Sequence, residues 1–164
     1  MATRKWNFQK MSFGLRRQAH TSERRRSFGG VPGAPRQPLI LIADDDAGIR
    51  GALCEILMES GYRVRVSADG AGVVALARAE TPDAVLLDLA MPGSDGITTA
   101  EMLRAMDQMK DAAIIAATSS WLADRLDLVE PAGFTAALRK PFTVEALRGL
   151  LEQSISPRRD AVAV

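Results

Sequence analysis

The sequence predicts an α/β fold in which a five-stranded parallel sheet carries helices on both faces. Three observations lead to this fold class. Short apolar segments alternate five times with segments whose apolar residues recur at helical spacing, as in parallel sheets whose strands are connected by helices. The third apolar segment, "AVLLD", is uninterrupted up to its last residue, as expected for a strand covered on both faces. Polar side chains gather where the predicted strands end, which is where open parallel sheets bind ligands.

The first two strand and helix units are predicted before residue 82. "PLILIAD" (38–44) is a short apolar strand, and Ile or Leu at 49, 53, 56 and 57 then recurs at helical spacing until Gly61 ends the helix. "YRVRVS" (62–67) alternates as a half-buried strand. "DGAGVVALARAE" (69–80) is predicted as a helix that ends before Pro82.

Three further units complete the series. "AVLLD" (84–88) precedes the predicted helix "ITTAEMLRAMDQ" (97–108), and the strand "AAIIAAT" (112–118) precedes the predicted helix "LADRLDLVEPAG" (122–133). "FTAAL" (134–138) is a short fifth strand before the last helix, "TVEALRGLLEQSI" (143–155). Because a helix follows every strand, the strands are expected to run parallel.

Length and composition indicate one cored domain. The 164 residues, 47% of them apolar, suffice for one domain and are too few for two ordinary ones. No apolar run approaches the roughly 18 to 20 residues of a membrane span, and the N-terminus lacks the apolar core of a secretory signal. The single cysteine, Cys54, has no disulfide partner, which fits a reducing compartment. We therefore expect a cytoplasmic protein without a membrane span.

Charge divides the chain into two unlike segments. Residues 1–37 hold nine basic residues and one acidic residue, a net charge of +8, whereas the remaining 12 basic and 19 acidic residues give residues 38–164 a net charge of −7. We predict a flexible basic tail over 1–37, a domain over 38–155 and a short C-terminal tail over 156–164. The basic tail could bind a polyanion, could be merely solvated, or could be an extension upstream of a native start at Met11.

The polar residues at the predicted strand ends suggest a phosphoryl-transfer site. They are Asp44, Asp45, Asp46, Asp88, Thr118, Ser119 and Lys140. Carboxylates within about 5 Å of one another repel by roughly 3 kcal/mol per pair at an effective dielectric of about 20, so such a cluster must bind a cation or take up protons. Oxygen ligands without His or Cys favour a hard ion such as Mg²⁺. An ammonium and a hydroxyl beside them suit transfer of a phosphoryl group onto an aspartate.

These motifs resemble the receiver domain of two-component response regulators. The matching segments are the acidic pair after "LILIA", Asp88 in "LLDLAMPGSDGI", Thr118 in "IIAATS" and Lys140 in "LRKPF". Intervals of 43 residues from Asp45 to Asp88, 30 to Thr118 and 22 to Lys140 also fit the family. The resemblance covers residues 38 to about 155 and implies a flavodoxin-like, doubly wound (βα)5 fold.

The resemblance implies a role for each acidic residue. Asp88 would accept a phosphoryl group from a sensor histidine kinase or a histidine phosphotransfer protein. Mg²⁺ would be bound directly by Asp45, Asp88 and the backbone carbonyl of Ala90. Asp44 would support these ligands without contacting the ion. Alternatively, Asp44 and Asp46 could be ordinary negative charges at a helix N-terminus.

The resemblance also implies how the phosphoryl group is held. Thr118 would donate a hydrogen bond to it, Lys140 would pair with it, and the Lys140–Pro141 peptide bond is expected to be cis. Ser119 stands where the family favours small residues. The family usually carries Tyr or Phe three residues before the lysine, whereas this sequence has Ala137. Trp121 could report activation in its place, or could simply pack on the sheet edge.

The expected function is that of a stand-alone receiver. About nine residues follow the last predicted helix, so we expect no DNA-binding domain and output through a downstream target protein, either as a switch or as a phosphorelay. The protein would be a phosphoacceptor that assists its own phosphorylation and dephosphorylation, not an enzyme in the usual sense. One alternative is a degenerate receiver that binds a partner without phosphorylation. A remote one is an aspartate-nucleophile phosphatase, which expects a second Asp where this sequence has Ala90.

Overall fold

The computed structural model describes residues 36–93, 95–118 and 132–155. The chain divides between Arg36 and Gln37 into two units, and the fold below is that of the second. Almost all of the predicted tail 1–37 and helix 122–133, and the whole C-terminal tail 156–164, lie outside the described residues, as do Ser119 and Trp121. The predicted division into tail, domain and tail therefore stays a prediction.

The described part of the chain forms one parallel sheet with helices on both faces, which confirms the predicted fold class. The strands are β1 (Leu39–Ala43), β2 (Arg63–Ser67), β3 (Ala84–Asp88), β4 (Ala113–Thr118) and β5 (Ala136–Arg139). The α-helices are α1 (Ala47–Glu59), α2 (Gly70–Ala79), α3 (Gly96–Arg104) and α4 (Val144–Ser154). All four strand pairs are parallel, in the order β2-β1-β3-β4-β5. No helix in the described ranges has the length and apolar character needed to cross a bilayer.

The sheet separates two apolar cores. On one face, alternate strand residues such as Leu41 pack with α2 and α3. On the other face, residues such as Ile42 pack with α1 and α4. Every residue of β1, β3 and β4 is buried, which explains why these strands are continuously apolar in sequence. The sheet is therefore a rigid support for whatever its strand ends carry.

A side chain caps the start of each α-helix. The capping residues are Asp46, Asp69, Asp95 and Thr143 for α1 to α4 in order. Each accepts a hydrogen bond from a backbone N–H of the first turn, which would otherwise lack a partner. At the other end of α1, Gly61 adopts a φ of 89°, which favours glycine. The predicted end of that helix at Gly61 is thus confirmed.

Two elements differ from the prediction by two residues or more at one end. The helix predicted over 97–108 begins at Gly96 and ends at Arg104, and a 3₁₀ turn over Asp107–Met109 follows. This break brings Met109 into the core with no exposed surface, whereas a continued helix would turn it away from the face that Leu103 buries. The fifth strand begins at Ala136 instead of residue 134.

Candidate functional site

The strand order brings the predicted site residues to one edge of the sheet. Asp44 directly follows β1, Asp88 ends β3, Thr118 ends β4 and Lys140 directly follows β5. The parallel strands all end at this edge, and β3 lies between β1 and β4. Asp88 therefore occupies the centre of the edge, at the position where such sheets bind ligands.

Three carboxylates form a cluster at this edge. Asp44, Asp45 and Asp88 each offer an oxygen, and the three oxygens lie within 4.8 Å of one another. Asp44 and Asp88 are buried, whereas Asp45 is exposed and makes no hydrogen bond or ion pair with another described residue. The all-oxygen donor set suits a hard divalent cation such as Mg²⁺.

Lys140 bridges the two buried carboxylates. Its Nζ lies 2.6 Å from Asp44 Oδ2 and 2.6 Å from Asp88 Oδ2. Burial alone would lower the pKa of Lys140, but the hydrogen bonds and negative charges of Asp44 and Asp88 outweigh it and raise the pKa above its ordinary value. Lys140 is therefore a protonated ammonium at neutral pH, which partly neutralises the cluster.

Asp88 is held by backbone as well as by Lys140. Its Oδ1 accepts a hydrogen bond of 2.9 Å from the Ala90 N–H. The chain then passes so close to Gly96 that a Cβ there would lie 2.8 Å from the Asp88 carbonyl oxygen and 2.7 Å from the Leu89 Cα. Only glycine fits at residue 96, which explains the glycine that follows Asp95 in the "MPGSDG" segment. This close approach holds the start of α3 against the backbone of Asp88 and Leu89.

Asp44 has each of its polar atoms in a hydrogen bond. Its N–H donates to the Ser67 carbonyl at 3.3 Å, and its Oδ1 accepts from the Asp46 N–H at 2.9 Å, while Lys140 occupies Oδ2. Its carbonyl oxygen accepts a hydrogen bond of 2.6 Å from Arg50 Nη1. Arg50 was not predicted from the sequence, because an arginine on an amphipathic helix usually faces solvent.

Asp46 lies beside the cluster but serves α1. Its Oδ1 accepts hydrogen bonds from the N–H groups of Gly48 and Ile49 at 2.7 and 2.9 Å. The hydrogen bonds from Ile49 and Gly48 lower the pKa of Asp46 below its ordinary value. The alternative assignment of Asp46 as a charge at the helix N-terminus is therefore correct, and its carboxylate is engaged in capping.

Thr118 and Lys140 are joined through the backbone. The Lys140 N–H donates a hydrogen bond of 2.8 Å to the Thr118 carbonyl, and Thr118 has no exposed surface. The Lys140–Pro141 peptide bond is cis, as predicted. Ala137 is half-buried and packs against the core on the α2 and α3 face. Ser119 and Trp121 lie outside the described residues, so their predicted contributions stay predictions.

A doubly wound parallel sheet whose central strand ends in a lysine-bridged aspartate is the architecture of a receiver domain. The model of the response regulator receiver domain family matches residues 40–152. The chain therefore belongs to this family, and the resemblance drawn from the sequence is confirmed.

Three similar proteins illustrate the family. Transcriptional regulatory protein PdtaR of Mycobacterium tuberculosis is 36% identical over 126 residues, covering 76% of this chain and 60% of that protein. Sporulation initiation phosphotransferase F of Bacillus subtilis is 31% identical over 114 residues, covering 70% and 90% of the two chains. The receiver domain of sensor histidine kinase PA1611 from Pseudomonas aeruginosa, solved with a magnesium ion in its active-site cleft, superposes with a TM-score of 0.67 at 30% identity, covering 73% and 98%.

The chain matches only part of the length of these transcriptional regulators. The chain spans between 46% and 60% of the length of the PdtaR and PrrA regulators that it matches. What is shared with them is the receiver domain.

Proposed function

We propose that this receiver domain accepts a phosphoryl group on Asp88 in a reaction that depends on Mg²⁺. The observation that carries the proposal is the position of Lys140 Nζ, 2.6 Å from carboxylate oxygens of both Asp44 and Asp88, with Asp45, which has no partner in the described part of the chain, beside them. A carboxylate nucleophile, an ammonium group for the transferred phosphoryl group and an exposed carboxylate for a metal ion then lie together at one sheet edge.

The residues that would hold Mg²⁺ are those predicted from the sequence. Asp45 and Asp88 would supply carboxylate oxygens and Ala90 its backbone carbonyl, while Asp44 supports them without direct contact. The exposure of Asp45 leaves its carboxylate accessible to a hydrated ion, and Mg²⁺ in proteins keeps several waters and uses one or two carboxylates. When bound, the ion would neutralise charge on the phosphoryl oxygens during transfer.

The transfer itself needs one new bond and the loss of one bond. A carboxylate oxygen of Asp88 attacks the phosphorus of a phosphohistidine, the oxygen–phosphorus bond forms, and the phosphorus–nitrogen bond breaks. The imidazole nitrogen keeps the electron pair and takes up a proton. Lys140 then exchanges an Asp88 oxygen for a phosphoryl oxygen, and the Thr118 hydroxyl donates a hydrogen bond to another. Both contacts stabilise the charge that Asp88 receives.

The phosphodonor and the output of the domain belong to the same proposal. A sensor histidine kinase or a histidine phosphotransfer protein would supply the phosphoryl group in the cytoplasm. The signal would leave by contact with a downstream protein or by transfer to another histidine. A stand-alone role is supported by the sporulation phosphotransferase, since the match spans 90% of that relative.

A degenerate receiver is the second candidate, and Ala137 is the observation that favours it. The residue is half-buried and offers no large ring that could change position on phosphorylation. The complete set of Asp44, Asp45, Asp88 and Lys140 supports phosphorylation instead. A phosphatase is not supported, because the matched family consists of regulators and Ala90 provides no second carboxylate.

The first prediction is that Asp88 is the phosphorylation site. Incubation with acetyl phosphate and Mg²⁺ should add one phosphoryl group to the intact mass, because Asp88 is the carboxylate that ends the central strand beside both Lys140 and Thr118. Asp88→Asn and an excess of chelator should each abolish the added mass. Asp111→Asn, which changes an exposed aspartate away from the site, should still show the added mass of one phosphoryl group. Labelling of Asp88→Asn at the wild-type level would disprove the assignment.

A further inference from the structure

Arg50 contacts the site without belonging to the set that the family resemblance assigns. It lies in the first turns of α1 and is half-buried, and its Nη1 donates a hydrogen bond of 2.6 Å to the backbone carbonyl of Asp44. A charged donor at this distance makes a strong hydrogen bond. The contact ties the start of α1 to the residue that follows β1.

The carbonyl that Arg50 holds belongs to the peptide that joins Asp44 to Asp45. Because a peptide unit is planar, fixing this oxygen also fixes the N–H and the Cα of Asp45. The carboxylate of Asp45 has no partner among the described residues. Among the described residues, the backbone is therefore what limits the region that this carboxylate can reach, and that backbone is oriented from one side by Arg50.

We propose that Arg50 is a positioning residue that orients the Asp44–Asp45 peptide so that the Asp45 carboxylate can bind the divalent cation. The inference rests on the proposed function, because it concerns the same magnesium site. It assigns to Arg50 no contact with the ion and none with the phosphoryl group. The guanidinium suits the task because its flat, rigid group loses less freedom on binding a carbonyl than an ammonium does.

Simple electrostatics predicts the opposite effect on Mg²⁺ affinity. Arg50 carries a positive charge beside the cluster, since its Nη1 lies 2.6 Å from the Asp44 carbonyl oxygen. Such a charge repels Mg²⁺, so removing it without any positioning effect would tighten the binding of the ion. The sign of the change in affinity therefore separates the two roles.

The experiment measures Mg²⁺ affinity directly, without a phosphodonor. Amide NMR shifts of the full chain are titrated with MgCl₂ at constant ionic strength, for wild type, Arg50→Met and Arg50→Lys. Arg50→Met keeps the apolar stem and removes the donors and the charge. Arg78→Met is the matched control, because Arg78 is an exposed arginine in the last turn of α2.

Arg50→Met should weaken Mg²⁺ binding about tenfold, which is the lower end of the loss seen when supporting contacts of metal ligands are removed. Arg50→Lys should lose less, since an ammonium can still donate one hydrogen bond. Arg78→Met should bind Mg²⁺ as wild type does. Thermal unfolding of each variant confirms that the titration temperature lies below the transition, and Arg50→Lys serves alone if Arg50→Met does not fold.

Unchanged or tighter Mg²⁺ binding by folded Arg50→Met would overturn the inference and leave a purely structural role for Arg50. This result is distinct from failure of the proposed function, in which wild type itself would neither bind Mg²⁺ nor accept a phosphoryl group on Asp88. If Arg50→Met is folded, weakened in Mg²⁺ binding and phosphorylated at the wild-type rate under saturating Mg²⁺, the positioning role is supported.

Discussion

At the residue scale, Lys140 determines whether the buried acidic pair is stable. Two carboxylates with almost no exposed surface share one ammonium. Removing one member of a buried charged cluster leaves the others unpaired, which costs more than the pair itself contributes. The local stability of the site therefore depends on the protonation of Lys140.

The pH dependence of stability should show this role. The pKa of Lys140 is raised in the folded state above its ordinary value of 10.5, because the contacts with Asp44 and Asp88 outweigh the effect of burial. Its contribution is thus complete below pH 10.5 and is lost as the pH rises through the folded-state pKa. Urea unfolding of wild type and Lys140→Met between neutral and strongly alkaline pH measures the difference. The difference in the free energy of unfolding should shrink above pH 10.5, and a constant difference would contradict the prediction.

At the scale of elements, Arg104 joins three parts of the fold at the edge of the sheet opposite the site. Its Nε donates to the Gly133 carbonyl at 2.6 Å, and its Nη1 donates to the carbonyls of Met109 and Ala112, each at 2.7 Å. Its Nη2 lies 3.1 Å from Thr135 Oγ1. Burial lowers the pKa of Arg104 from its ordinary value, but the guanidinium stays charged. One side chain thus connects the end of α3 to the segments that enter β4 and β5.

Replacing Arg104 should weaken these connections markedly. Arg104→Met should lower the free energy of unfolding by about 2 to 3 kcal/mol, because several carbonyls lose a charged donor. Arg104→Lys should recover only a small part, since an ammonium cannot reproduce the forked geometry. Urea unfolding measures both, with the exposed Arg148→Met as the control, expected within about 0.5 kcal/mol of wild type. Equal stability of Arg104→Lys and wild type would show that charge alone suffices.

At the scale of the whole molecule, the carboxylates that suit cation binding are expected to lower the free energy of unfolding when no cation is bound. The site holds three carboxylates, two of which share one lysine, so in the absence of a cation it carries an excess of negative charge. Asp45→Asn should therefore raise the free energy of unfolding without Mg²⁺ by about 1 kcal/mol, the repulsion of two charges about 4 Å apart in water. Chemical unfolding with and without MgCl₂ measures this effect.

The same variant should lose the stabilisation that Mg²⁺ gives to wild type, because a ligand that binds the folded state stabilises it according to its affinity. Asp107→Asn is a suitable control, since that carboxylate is exposed and lies away from the cluster. A variant Asp45→Asn that is less stable than wild type without Mg²⁺ would show that Asp45 supports the fold rather than straining it.

The sequence predicted the sheet and its polar edge because both follow from local patterns. Strands buried on both faces are continuously apolar, and Asp88, Thr118 and Lys140 interrupt that pattern where their strands end or shortly after. The end of α3 could not be predicted from the sequence, because Met106 and Met109 suit a continued helix. The 3₁₀ turn that replaces it follows from tertiary packing. Arg50 could not be recognised, because its partner is a backbone carbonyl, which leaves no trace in a sequence.

The hydrogen bond from the Lys140 N–H to the Thr118 carbonyl has a consequence for how phosphorylation and the binding of another protein would be coupled. It links the backbones of the two residues that would hold the phosphoryl group, so a protein that binds the β4 and β5 edge in its phosphorylated geometry would also act on their contacts with that group. By thermodynamic reciprocity, if phosphorylation strengthens the binding of such a protein, its binding shifts the phosphotransfer equilibrium toward phosphorylated Asp88 by the same factor. A bound protein of this kind would then raise the fraction of the receiver that carries the phosphoryl group at equilibrium.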